Sequence, residues 1–248
     1  MKTQRGFTLI EMAIVLVIVT ILIGGLAMPL SAQIQARRIA ETRQTLQEAR
    51  EAIIGYAMTH NATTPPTHPY LPCPNQNGDG TEGPRDAAGI CLNRTGYLPW
   101  VTLGTAPQDA WGNRLRYAVD KGFTNKDSGF SASSTLPPDP IVICSTHTCS
   151  SSSPDVADNV IFVLVSHGPN GWGAQNMNNA PGVLQAPPNG LDEKKNLDPN
   201  PVYISRSPYK AADGTAVERA KEFDDLTVWV SHSVLIAKVC PAGSDCYP

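Results

Sequence analysis

The chain has 248 residues, a formal net charge of −3 and only 6% aromatic residues. That balance speaks against a protein that grips a nucleic-acid backbone, because such a binder is basic on its face. Glycine (20) and proline (22) are plentiful, so the globular part is expected to be rich in loops.

Residues 7–30 form an apolar run interrupted only by Thr8, Glu11 and Thr20 and by the backbone breakers Gly24, Gly25 and Pro29. A bilayer core needs about 20 residues of helix, so the run is long enough to span. Lys2 and Arg5 precede it, which keeps that end in the cytoplasm and sends the rest across the membrane in a single pass. A cleavable secretory signal has a shorter apolar core, of about 7–15 residues, before a small-residue cleavage site. The stretch GGLAMPLSA offers such small residues, but that reading leaves Glu11 unexplained. An ionisable group inside a membrane segment costs at least about 2.5 kcal/mol and is rescued by snorkelling or by a partner.

The stretch RGFTLIE, residues 5–11, resembles the processing site of the type IV prepilin family, which includes type IV pilins and the pseudopilins of type II secretion. The resemblance implies that a prepilin peptidase cuts after Gly6 and that the new N-terminal residue, Phe7, is N-methylated. It also implies that Glu11 meets the N-terminal amine of a neighbouring subunit. Each buried charge is tolerable in lipid only when paired, so carboxylate and amine would neutralise each other and set an axial register. A contact of this heterologous kind, repeated without closing, builds a helical filament. Removing residues 1–6 takes away Lys2 and Arg5 and leaves a side-chain balance of −5.

The helix is expected to continue past the membrane. From 31 to 60 only Gly55 breaks a run free of Gly and Pro, and Ile39, Leu46 and Ile53 recur with Thr42, Ala49 and Tyr56 as one stripe. A bend is expected at Gly24, Gly25 and Pro29, and TTPPTHP at 63–69 ends the helix. The mixed Thr and Ala positions suit packing on a sheet better than a coiled coil. Short β-branched or aromatic segments predict strands at 114–119, 141–144, 160–166, 202–205 and 226–230. The expected fold is α+β and loop-rich: a long N-terminal transmembrane helix whose C-terminal half packs on an antiparallel β-sheet, as in pilins. The segments are a leader at 1–6, a membrane and assembly helix at 7–30, the exported half of the helix at 31–62 and a globular exported domain at 63–248. DAWGNRLRY at 109–117 resembles the Asp-x-Trp-Gly-Asn turn and strand of major pseudopilins, and FVLVSHGPNG and EFDDLTVW resemble later segments of them. The chain departs from them by extra loops around 124–140 and 176–200.

All six cysteines, Cys73, Cys91, Cys144, Cys149, Cys240 and Cys246, lie beyond the apolar run. An even count in an exported domain favours disulfides, and pairing sequence neighbours is the simplest of the possible connectivities. The competing reading of CSTHTC, 144–149 with His147, is a metal site. The strongest candidate for a metal is NQNGDGTEGPRD at 75–86. Asn75, Asn77, Asp79 and Asp86 stand at positions one, three, five and twelve of a calcium loop, with Gly80 at six. Asn replaces Asp twice there, Asp replaces the bidentate Glu, and the competitor is a plain turn closed by Cys73 and Cys91. Major pseudopilins bind calcium in a late loop, and by that resemblance the matching region is 166–170, with Asn170, and Asp224 with Asp225.

Ser166, His167, His232 and Asp158 supply the residue types of a catalytic triad, but no G-x-S-x-G elbow, H-E-x-x-H, Walker loop or G-x-G-x-x-G occurs. An enzyme is therefore not expected. The function expected is a cleaved and methylated filament subunit of a type II secretion pseudopilus or, as a minor subunit, a type IV pilus. Its partners would be other pilins or pseudopilins, prepilin peptidase, an inner-membrane assembly platform and membrane lipid, with no nucleic acid. It would sit in the bacterial inner membrane with its globular domain in the periplasm, then in a periplasmic pseudopilus or surface pilus. The alternative is a membrane-anchored, calcium-dependent binding or adhesin domain that never polymerises.

Overall fold

A computed structural model describes residues 8–65, 67–180, 182–240 and 245–246, with the backbone alone at 23–29. Two units divide the chain, Met1–Ala40 and Glu41–Pro248. Helix α1, Leu9–Thr59, belongs to both.

In the first unit α1 opens on a reciprocal cap. The backbone N–H and hydroxyl of Thr8 both donate to Oε2 of Glu11 at 2.8 Å, and the Glu11 N–H donates back to the Thr8 hydroxyl at 3.3 Å. Two orphan donors of the first turn are satisfied this way. Thr20 turns its hydroxyl back onto the carbonyls of Leu16 and Val17, so it presents no unmet polar group. Leu9, Ile10, Leu16, Ile21 and Leu22 all stand exposed within this unit. Among the described residues no helix is long and apolar enough to cross a membrane. The run expected to span, 7–30, includes Phe7 and 23–29, and the bend expected at Gly24, Gly25 and Pro29 likewise lies outside the residues described in full.

In the second unit the remainder of α1 buries one face. Thr42, Leu46, Ala49, Ile53 and Tyr56 are buried at the three- and four-residue spacing of one helix stripe. Leu46, Ala49 and Ile53 pack with Leu115, Tyr117, Ile161, Phe162 and Leu164 in the main core. Full burial of one such aliphatic side chain contributes about 1.5–3 kcal/mol.

The six-stranded sheet is built around one strand. Strands are β1 Thr95–Tyr97, β2 Arg116–Val119, β3 Ile141–Cys144, β4 Ala157–Ser166, β5 Val202–Ile204 and β6 Leu226–Ser231. Along one edge, β4 pairs antiparallel with β3 at its start and with β2 further on, while β6 pairs antiparallel along its other edge. Ile161, Phe162 and Leu164 face the α1 side, and Val160, Val163 and Val165 face a second core with Ala118, Ile141, Ile143 and Tyr203. A strand buried on both faces needs an unbroken apolar run, and VIFVLV at 160–165 is one.

The structure departs from the expected antiparallel sheet in one place: β3 and β5 pair in parallel. A parallel pair needs a long crossover, and the chain between them supplies β4, the extra loop and helix α3, Leu191–Leu197. Strand β1 was not expected, because its TGY sequence is centred on glycine. That glycine is required: a Cβ on Gly96 would come within 2.4 Å of the Asn75 carbonyl oxygen. Helices α2 Trp100–Leu103, α3, α4 Ala216–Arg219 and α5 His232–Val239 were also missed. All are eight residues or shorter, too few for a period to declare itself.

The three disulfides join sequence neighbours: Cys73–Cys91, Cys144–Cys149 and Cys240–Cys246, with Cα separations of 5.4, 5.9 and 4.1 Å. These separations span the usual range for a bridge apart from the short last one. Arg85 ties the first loop to the body. It pairs with Glu82, donates to the carbonyls of Leu71, Gly89 and Thr124, and lies 5.0 Å over the ring of Tyr70.

Candidate functional site

Acidic side chains converge beside the loop that follows β4. Glu193 comes from the first turn of α3, and Asp224 and Asp225 come from the residues just before β6. One carboxylate oxygen from each lies within 4.8 Å of the others. Glu193 and Asp225 are only 2% and 4% exposed. Among the described residues no Lys or Arg forms an ion pair with any of the three; His167 approaches Asp225 at 3.5 Å.

The surrounding turns are arranged to hold these carboxylates. The DAWGN turn closes on Asp109, whose Oδ1 accepts from the N–H groups of Trp111 and Asn113 at 2.9 Å. Its Oδ2 accepts from the Ser166 hydroxyl at 2.7 Å, and Asn113 donates to the Gly168 carbonyl at 3.1 Å. Gly168 has φ +59°, and a Cβ there would lie 2.3 Å from the Asp224 carbonyl oxygen, so only glycine lets the loop approach this closely. Asn170 then bridges the cluster: its N–H donates to Asp224 at 3.1 Å and its side-chain amide donates to Glu193 at 3.0 Å. Asn196 donates to Asp225 at 2.8 Å, and the Asp224 N–H donates to Glu193 at 2.9 Å.

Even so, Oε2 of Glu193 and Oδ1 of Asp224 are buried without a hydrogen-bond partner. Burial first, and then the charges of Asp225 and Asp224, push the Glu193 carboxyl up to about 8. Burial and the Asp225 charge push Asp224 up to about 7. Buried carboxylates this close cannot all ionise without a compensating cation. The donors are hard oxygens, which suit calcium. The residues present therefore fit a divalent cation at Glu193, Asp224 and Asp225. Of the late-loop residues expected from the sequence, Asp224 and Asp225 sit in this cluster. Asn170 orients it, since its own side-chain oxygen accepts from the Trp172 N–H at 2.9 Å. Glu193 was missed: it lies in the extra loop around 176–200, in the charged run DEKK, where an acidic residue reads as a solvated side chain.

The residues of the 75–86 loop are used differently. Asn75 is buried, accepts from the Gly78 N–H at 2.8 Å and donates to Asp79 at 2.6 Å and to the Thr81 carbonyl at 2.7 Å. An amide donating into the aspartate closes the turn from within, where a calcium loop would turn oxygens inward. Asp79 also accepts from the N–H and hydroxyl of Thr81, and those bonds lower its pKa. Asp86 closes a separate turn, accepting from the N–H groups of Ala88 and Ile90. The CSTHTC segment is closed by its disulfide, and His147 pairs instead with Asp192 at 2.7 Å. Of the triad residue types, Ser166 donates to Asp109 at 2.7 Å and His167 lies 3.5 Å from Asp225.

At the other end of the chain Glu11 is described, and Gly6 and Phe7 lie outside the described residues. A family model for the prokaryotic N-terminal methylation motif matches residues 1–27. No curated protein and no solved structure matches the chain. The matched segment contains the RGFTLIE stretch and the first part of the apolar run, which implies a membrane-anchored N-terminus. Together with an α+β domain that packs a helix on a sheet, the motif supports the type IV prepilin-like family for this chain.

Proposed function

We propose that the chain is a prepilin-type filament subunit, stored in the bacterial inner membrane with its globular domain in the periplasm. It is cleaved by prepilin peptidase between Gly6 and Phe7, methylated on Phe7, and assembled with other pilins or pseudopilins on an inner-membrane platform. The product is a type II secretion pseudopilus or, with this chain as a minor subunit, a type IV pilus. The observation that carries this reading is the methylation motif over residues 1–27. Glu11 serves two ends: it caps its own helix through Thr8, and it neutralises the Phe7 amine of the next subunit in lipid. The role is structural and not enzymatic. Glu193, Asp224 and Asp225 hold a calcium ion that locks the loop after β4 against α3 and β6. The non-polymerising adhesin reading draws no support from a motif whose chemistry is leader cleavage and methylation.

Processing is tested by Gly6→Ala. The peptidase reads that residue at its cut, so the variant is expected to remain an uncleaved precursor in the inner membrane. Mass spectrometry that finds a normal methylated Phe7 terminus in the variant would overturn the assignment.

A further inference from the structure

A second site lies on the strand side of the same loop. Between β1, β2 and the segment after β4 is a half-enclosed pocket of about 420 Å³, within the range of small-ligand sites. Its apolar wall includes Leu184, Pro187 and Leu197, and Arg114, Arg116 and Tyr97 also line it. Two guanidinium groups in one apolar pocket call for negative charge, and among the described residues neither forms an ion pair with a carboxylate. Each is held in place by other means. Arg114 lies 4.1 Å over the ring of Trp100, and Arg116 gives one terminal N–H to the Leu197 carbonyl at 2.6 Å. The Arg116 guanidinium also bonds the buried Tyr203 hydroxyl, which fixes it further.

We propose that this pocket binds a carboxylate carried on an apolar body. The fork of a guanidinium is matched by the two oxygens of a carboxylate. Arg114 adds the second positive charge, and the leucine and proline wall takes the apolar part. Such a group comes from two sources, a free small acid or the carboxyl end of a polypeptide with an apolar last residue. The latter fits a filament domain that meets other exported chains.

The test uses the full cleaved chain in detergent micelles, with micelles alone as the blank, and calorimetric titration of three probes. They are 3-phenylpropionate, a hexapeptide ending in a free leucine carboxylate, and the same peptide amidated at its C-terminus. At least one free carboxylate probe is expected to bind, at least tenfold more tightly than the amide. That affinity is expected to fall at least tenfold in Arg114→Gln, whose melting temperature checks that it folds. Binding of the free-acid peptide alone assigns the site to chain ends, and binding of phenylpropionate alone assigns it to small acids. Failure of both free acids with the folded wild-type chain would overturn the proposal. So would equal binding of the amide, or undiminished binding by folded Arg114→Gln. If that variant does not fold, the tenfold preference for acid over amide in the wild type decides alone.

Discussion

Glu193 and Asp224 each keep one buried oxygen without a partner inside the fold, and this makes them the residues through which an ion would act. The sign of the pH dependence follows from their raised pKa values. In the unfolded chain Glu193 ionises near its ordinary 4.5; in the folded chain it holds its proton up to about 8. Between those values the folded state binds more protons than the unfolded state, so stability without an ion falls as pH rises. Asp224, raised to about 7, acts in the same direction. In chelator the melting temperature is expected to drop between about pH 5 and about pH 8, and in calcium that drop is expected to disappear. At a hundredfold excess over Kd the ion contributes about 2.7 kcal/mol. Glu193→Gln combined with Asp224→Asn is expected to lose both the slope and the calcium effect. A calcium effect that survives this pair and vanishes in Asp79→Ala with Asp86→Ala would move the ion to the earlier loop.

At the scale of elements, α1 and β4 organise the globular domain. Ile53 on α1 is fully buried in the main core. Ile53→Ala is expected to cost about 2–5 kcal/mol by leaving a cavity the neighbours cannot fill. Denaturant melts of wild type and variant check this, and a loss below about 1 kcal/mol would mean that this face of the helix is not a packed core. Both elements were legible because their patterns are long: a stripe of apolar residues at helical spacing from Thr42 to Tyr56, and an unbroken run at 160–165. The neighbour pairing of cysteines was legible because each bridge closes a short local loop. Helix α5 was not, since HSVLIAKV carries too few turns to separate helix from strand. The candidate ion site was half legible. Asp224 and Asp225 adjoin a recognisable strand, but Glu193 reaches them from a loop insertion, and nothing in its neighbours announces a long-range contact. The 75–86 spacing named a second candidate, but spacing alone does not say that Asn75 donates to Asp79.

At the scale of the whole molecule, the account joins an N-terminal segment that carries assembly chemistry to a domain that carries surface chemistry. Its central claim is that the charge of Glu11 couples one subunit to the next. Glu11→Gln isolates that charge well. Glutamine fits the same capping position as glutamate, so the Thr8 cap and the helix start should survive. The apolar run and Gly6 are untouched, so insertion and cleavage should proceed. Only the partner of the neighbouring Phe7 amine is lost, at a cost of about 3–5 kcal/mol for each buried pair broken, repeated at every subunit. The decisive measurement is the yield of axially cross-linked filament from Glu11→Gln, with cleavage after Gly6 verified in the same sample by mass spectrometry. The account predicts a normally cleaved subunit and a yield reduced by orders of magnitude. Cleaved Glu11→Gln that assembles at the wild-type level would contradict it, because apolar packing alone would then set the register.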